Sequence, residues 1–346
     1  AGIKMLFVVS NILLNLFFLV LCPWLNAHSP QAISWFYDPG YGVGYVFLAN
    51  LICTSLQMLF FVNELRGFQY VLDKALIKRM FSYSFPILIL GLAGILNQTV
   101  DKIIFPFLLD NANEARVQLG IYGAASKIAM VMAMFTQAFR YAYEPFVFGK
   151  EKDGDSRQTY ASAMKFFVIF TLLAFLAVMF YMDILRYIIT PDYWPGLKVV
   201  PIVMAAEMFM GVYFNLSFWY KLIDETRWGA YFSLIGCVII VLLNIIFVPI
   251  YGYIACAWAG LAGYFTVTLL SYFVGQKKYP INYDLKRIGL YVLLAAVLYV
   301  ASVFIVPENV VFRLLFRTGL LFVFIAFIVK KDLPLKQIPL LNHFIK

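Results

Sequence analysis

Ten apolar runs, each about as long as or longer than the ~20 residues that an α-helix needs to cross ~30 Å of hydrocarbon, recur from one end of this chain to the other. They lie near residues 5–23, 43–62, 81–108, 117–147, 162–182, 199–220, 229–249, 252–274, 288–306 and 312–329. Pro23, Pro39 with Gly40, Pro191, Pro195 with Gly196, Pro249 with Gly252, Pro280 and Pro307 stand at the gaps, where helix breakers belong. The third run also carries Pro86, Gly91 and Gly94, which in a membrane helix mark a kink or a close helix contact. Of the 346 residues, 63% are hydrophobic and 13% charged, against about 45–50% and about 25% in soluble domains. No water-facing fold could bury that much apolar surface. The chain is expected to be an all-α, polytopic helical membrane protein of about ten transmembrane helices.

Charge sets the expected orientation. With the N-terminus cytoplasmic, 19 of the 27 Lys and Arg residues fall on the inner side and 5 on the outer, with Lys102, Lys127 and Arg140 inside spans. Every inner loop is basic, so the positive-inside rule places both ends of the chain in the cytoplasm. The basic excess is spread along these loops and forms no single patch or tail, which argues against a nucleic-acid partner. Cys22, Cys53, Cys237 and Cys256 lie in or beside apolar runs without a C-x-x-C pair, and read as packed small residues. His28 and His343 fall in loops on opposite sides. The sequence offers no metal-ligand cluster, phosphate loop or nucleophile elbow, and no loop exceeds roughly twenty residues, too few for an ordinary extramembrane domain. Neither enzyme chemistry nor a cofactor is expected.

Function must then reside in polar residues at membrane depth, which are costly unless they meet a partner or water. The third and fourth spans concentrate them. In the third, Asn97 and Asp101 are four apart, as are Gln98 and Lys102, and together they occupy a sector of about 140°. In the fourth, Lys127, Gln137, Arg140, Tyr141 and Glu144 fan over a similar sector. Counted from the outer ends of their spans, Asp101 and Lys127 are nearly level, which allows an interhelical ion pair. Arg140 and Glu144 can pair within one helix or snorkel to the inner interface, and Lys102 can snorkel to the outer one. Glu207, mid-way along the sixth span, has no partner visible in sequence; burial favours its neutral form.

These two spans carry a resemblance. F-S-Y-S-F-P at 81–86, N-Q-T-V-D-K at 97–102, G-I-Y-G-A-A-S-K-I-A at 120–129 and Q-A-F-R-Y-A-Y-E-P-F at 137–146 resemble, in order and spacing, the polysaccharide-biosynthesis (Wzx-type O-antigen flippase) branch of the multidrug, oligosaccharidyl-lipid and polysaccharide exporter superfamily. The resemblance covers roughly residues 65–275 and implies a two-lobe exporter fold. Against the fourteen-span form of that family, ten spans read as the last ten. Residues 1–64 would then close an incomplete N-terminal lobe, 65–276 form a six-helix C-terminal lobe, and 277–346 supply two additional helices and a cytoplasmic tail. The first four helices would be lacking, in keeping with a start at Ala1-Gly2-Ile3-Lys4.

The resemblance further implies transport of an undecaprenyl-pyrophosphate-linked oligosaccharide across the bacterial inner membrane by alternating access, coupled to H⁺ or Na⁺, with membrane lipids the other contact. Lys127, Arg140 and Lys102 would be the substrate-facing cations, and Asp101, Glu144 and Glu207 would gate or couple. A cation-coupled multidrug antiporter of the same superfamily is the alternative, for which a carboxylate-rich cavity would be expected. A membrane-embedded polysaccharide polymerase would need a large outer loop or a catalytic constellation.

Overall fold

The computed structural model describes residues 2–60, 73–149, 156–223, 225–305 and 307–332. Its long elements are helices: α1 (Gly2–Leu16), α2 (Gly44–Leu59), α3 (Lys74–Ile104), α4 (Ala112–Gly149), α5 (Ser156–Phe180), α6 (Val200–Leu216), α7 (Arg227–Tyr251), α8 (Tyr253–Lys278), α9 (Leu285–Phe304) and α10 (Val310–Lys331). No strand occurs among the described residues.

Eight helical stretches among the described residues are long and apolar enough to cross a membrane. The other two expected spans are α2, whose 16 residues reach about 24 Å, and α3, whose 31 residues suffice in length but include Lys74, Lys78, Arg79, Asp101 and Lys102. Large apolar side chains point outward along the bundle, Leu242 at 52% exposure and Phe322 at 65% among them. Hydrocarbon accepts such a surface and water does not. The protein is a multi-pass helical membrane protein.

Two prolines sit differently from their expected places. Pro23 falls in the first turn of a helix, Cys22–His28, which continues α1 through a π-helical turn at Phe17–Leu21. The first span therefore runs Lys4–His28, because a wide turn and a first-turn position both tolerate the missing N–H. Pro249 lies inside α7, two residues from its end. At Pro86 the helical backbone of α3 is continuous.

The chain divides into two compact units, Ala1–Phe81 and Ser82–Lys346. In the first, α1 and its continuation pack on α2 around Phe18, Cys22, Tyr45 and Ala49. Phe18 stacks on Tyr45 at 5.0 Å, and Asn11 donates to Asn50 across the helix pair at 2.6 Å, so a polar group within an apolar run is paired.

In the second unit α8 packs against both α6 and α7, and α6 also against α4 and α5. A single residue, Gly252 with φ +59°, reverses the chain between α7 and α8, a conformation glycine adopts without a side-chain penalty. Gln118 of α4 lies over this turn, its Oε1 accepting from the Tyr253 N–H at 3.2 Å. Gly211 of α6 lets fully buried Phe167 of α5 approach so closely that a Cβ there would lie 2.3 Å from the ring. Small residues at such crossings bring membrane helices together.

Helices α9 and α10 pack on α5 around Phe167, Leu176, Tyr291, Ala295 and Phe324. Two carboxylates clamp the assembly at its ends. Asp183, just past α5, accepts from Arg313 at 2.7 Å and Arg317 at 2.8 Å, one turn apart on α10. Asp332, at the far end of α10, accepts from Lys165 of α5 at 2.6 Å, and from Arg287 at 3.0 Å and the Tyr291 hydroxyl at 2.6 Å on α9.

Candidate functional site

Within the second unit, α3, α4, α6, α7 and α8 line a cavity of about 300 Å³, room for about ten waters at their liquid volume. Helix α3 contributes Gln98, Thr99, Asp101 and Lys102, α4 contributes Tyr122 and Ser126, α6 Glu207, and α8 Tyr264. Small and aliphatic side chains, Ala129, Ala133, Val203, Ala206 and Ile240, complete the wall. On α4 the residues Tyr122, Ser126, Ala129 and Ala133 recur at intervals of four, three and four, which is one helical stripe.

Asp101 is buried and held from three sides. The Tyr122 hydroxyl donates to its Oδ2 at 2.8 Å, and the Lys102 backbone N–H donates to Oδ1 at 2.8 Å. The Lys102 ammonium lies 3.4 Å from Oδ1, donates to the Gln98 carbonyl at 3.2 Å, and stands 5.3 Å from the Tyr122 ring centroid. Two other polar atoms of the wall, Ser126 Oγ and Glu207 Oε2, are buried without a hydrogen-bond partner among the described residues. Lys102 is the one basic residue lining the cavity among the described residues, against two carboxylates.

The structure thus brings three of the sequence-derived candidates, Asp101, Lys102 and Glu207, to one cavity. The expected Asp101–Lys127 pair does not form. Lys127 follows Ser126 by one residue, so it points ~100° away from the cavity stripe and is exposed, while Asp101 is met by its sequence neighbour and by Tyr122. Arg140 lies seven residues beyond Ala133, on the same stripe and ~10 Å further along α4. It is half-buried, with its guanidinium 5.3 Å from the Phe214 ring centroid and 6.0 Å from that of Tyr141, and it lines a separate small recess with Thr136, Gly211 and Asn215. The side chain of Glu144 lies outside the described residues, and with it the Arg140–Glu144 pair.

Sequence reasoning missed Thr99, Tyr122, Ser126 and Tyr264. Tyr122 and Ser126 stood inside a quoted motif, and tracing their four-residue spacing toward Ala129 and Ala133 would have found the stripe. Tyr264 had no signal beyond being an aromatic in an apolar helix, one of 23 tyrosines. Among the described residues no group of three or more His, Cys, Asp or Glu is placed to hold a metal ion.

A family model described as "Polysaccharide biosynthesis protein" matches residues 4–142, a stretch that holds Asp101, Lys102, Lys127 and Arg140. Among solved structures, the chain is similar to one titled "Lipid II flippase MurJ, inward closed conformation", with a TM-score of 0.66 and 17% identity, over 84% of this chain and 63% of that one. At that identity the likeness is one of fold, and the chain spans less than two thirds of the structure it matches. Comparison with curated protein sequences finds no match.

Proposed function

We propose that the protein is a flippase that moves a polyprenyl-pyrophosphate-linked oligosaccharide, of the undecaprenyl type, across the bacterial inner membrane by alternating access for the synthesis of a cell-surface polysaccharide. The observation that carries the reading is a cavity among apolar helices whose wall holds Asp101, Lys102 and Glu207. Charges at membrane depth are expensive and are kept where they meet water, a partner or a substrate. The polysaccharide-biosynthesis match over residues 4–142 and the fold likeness to a lipid flippase support the same reading.

In this reading Arg140 and Lys127 are the cations that meet the pyrophosphate, Arg140 by a bidentate grip and Lys127 as a point charge. Lys102 is the third substrate-facing cation, steadied by Asp101. Asp101, Glu144 and Glu207 gate the path or couple it to H⁺ or Na⁺. Both ends of the chain are cytoplasmic, so the clamp of Lys165, Arg287 and Asp332 marks the inner face. Residues 65–276 act as one six-helix lobe, with 1–64 belonging to the other and 277–346 forming an added helix pair.

Two carboxylates against one lysine favour a second reading, a cation-coupled multidrug antiporter, more than the sequence did. Cells whose surface polysaccharide depends on the full-length protein separate the two. Arg140→Ala and Lys127→Ala should cut export at least about tenfold at unchanged protein level. Export that persists in both, together with a Glu207-dependent efflux of a cationic dye, would replace the flippase by the antiporter.

A further inference from the structure

We propose that the cavity among α3, α4, α6, α7 and α8 is a subsite for one sugar ring that is uncharged or amino-substituted, and that it rejects phosphate and carboxylated sugars. The proposal rests on the flippase reading and divides the head group: the sugar enters this cavity, and the pyrophosphate stays outside it.

Charge balance is the first ground. The ammonium of Lys102 is spent on Asp101 at 3.4 Å, an ion pair that the Tyr122 hydroxyl also supports. Glu207, on the same wall, has no second cation lining the cavity among the described residues. An anion entering here would meet no cation that is not already paired with a carboxylate among the described residues, at a depth where an uncompensated charge is costly. A hydroxyl or an ammonium would instead donate to Glu207.

Unmet hydrogen bonds are the second. Glu207 Oε2 and Ser126 Oγ are both buried and partnerless among the described residues. Buried polar atoms are nearly always paired, so two on one wall call for a ligand that supplies partners. Glu207 Oε2 accepts, and Ser126 Oγ both donates and accepts; the ring hydroxyls of a sugar offer that combination. The third ground is the rest of the wall. Ala129, Ala133, Val203, Ala206 and Ile240 present apolar carbon, which suits the C–H faces of a sugar and not the oxygen shell of a phosphate. At about 300 Å³ the space is of small-ligand size.

Purified full-length protein in lipid nanodiscs provides the test, with the unfolding midpoint read against methyl glucoside, glucosamine, glucuronate and inorganic pyrophosphate at matched ionic strength, since a ligand that binds only the native state raises the midpoint. Methyl glucoside and glucosamine should raise it, glucosamine with an apparent Kd at least about threefold lower because a charge-assisted hydrogen bond is roughly twice as strong as a neutral one. Glucuronate and pyrophosphate should do nothing at the cavity: any shift they cause should disappear in Arg140→Ala and survive in Glu207→Gln. In Glu207→Gln the advantage of glucosamine should vanish while methyl glucoside still binds. A glucuronate shift that survives Arg140→Ala, or no shift from either favoured sugar, would overturn the subsite and leave the flippase reading standing. A larger, Glu207-dependent shift from tetraphenylphosphonium than from either sugar would overturn both. If a variant does not fold, the wild-type series still decides, since no shift from either favoured sugar overturns the subsite.

Discussion

At the scale of single residues, Asp101 shows what sequence could reveal and what it could not. Its cost at membrane depth singled it out, as it did Lys102 and Glu207, and all three line the cavity. Its partner was misassigned because counting residues from span ends gives depth but not the direction a side chain faces on a neighbouring helix. The partner is Tyr122, one helix over, with Lys102 beside it. Removing the Tyr122 hydroxyl leaves a buried carboxylate short of a donor, which costs about 1–3 kcal/mol. Tyr122→Phe should therefore lower the unfolding midpoint in detergent, and in Asp101→Asn the same change should cost much less. Equal losses in both backgrounds would show that the 2.8 Å bond contributes nothing. Gly211→Ala is a second residue-scale prediction: a methyl group 2.3 Å from the ring of fully buried Phe167 overpacks the α5–α6 crossing and should cost about 1–3 kcal/mol, read as a lower midpoint with the cavity residues intact.

At the scale of helices, apolar runs and breakers located the spans, and the departures were local. Pro23 fell within a helical stretch because a π turn and a first-turn position absorb its missing donor, a compensation that composition does not disclose, and Pro249 fell inside α7 two residues before its end. The clamps on α10 were also invisible, since spacing along the chain does not show which cations meet Asp183 and Asp332. Asp332 now has a pH signature. Burial pushes its carboxyl up, but hydrogen bonds from Lys165 and Tyr291 and the charges of Lys165 and Arg287 outweigh it and hold the group below its ordinary value. A depressed carboxyl contributes stability above its unfolded pKa of about 3.9 and loses it as pH falls through the lower folded value. Asp332→Asn should cost on the order of 3 kcal/mol at pH 7, since it strands Lys165 against a half-empty site. The gap between wild type and variant should narrow steadily below about pH 4; a gap constant from pH 7 to pH 3 would show that the carboxylate charge plays no part.

At the scale of the whole molecule, the helical class and the number of long helices were legible because hydrocarbon forces every backbone polar group into helices or closed barrels. The cavity was not, because it arises where five helices meet, and of its polar positions four come from α3, two from α4 and one each from α6 and α8. The proposed reading depends on that convergence: a sugar-bearing lipid whose ring would enter between Asp101, Lys102 and Glu207 while its phosphates would stay with Arg140 and Lys127. Liposomes reconstituted with the full-length protein and a polyprenyl-pyrophosphate-linked N-acetylglucosamine test this most directly, by the fraction of sugar that becomes accessible to a non-permeant lectin over time. The account predicts transbilayer movement well above that of protein-free liposomes, reduced at least about tenfold by Arg140→Ala and by Glu207→Ala. Movement no faster than in protein-free liposomes, or equal in wild type and both variants, would contradict it.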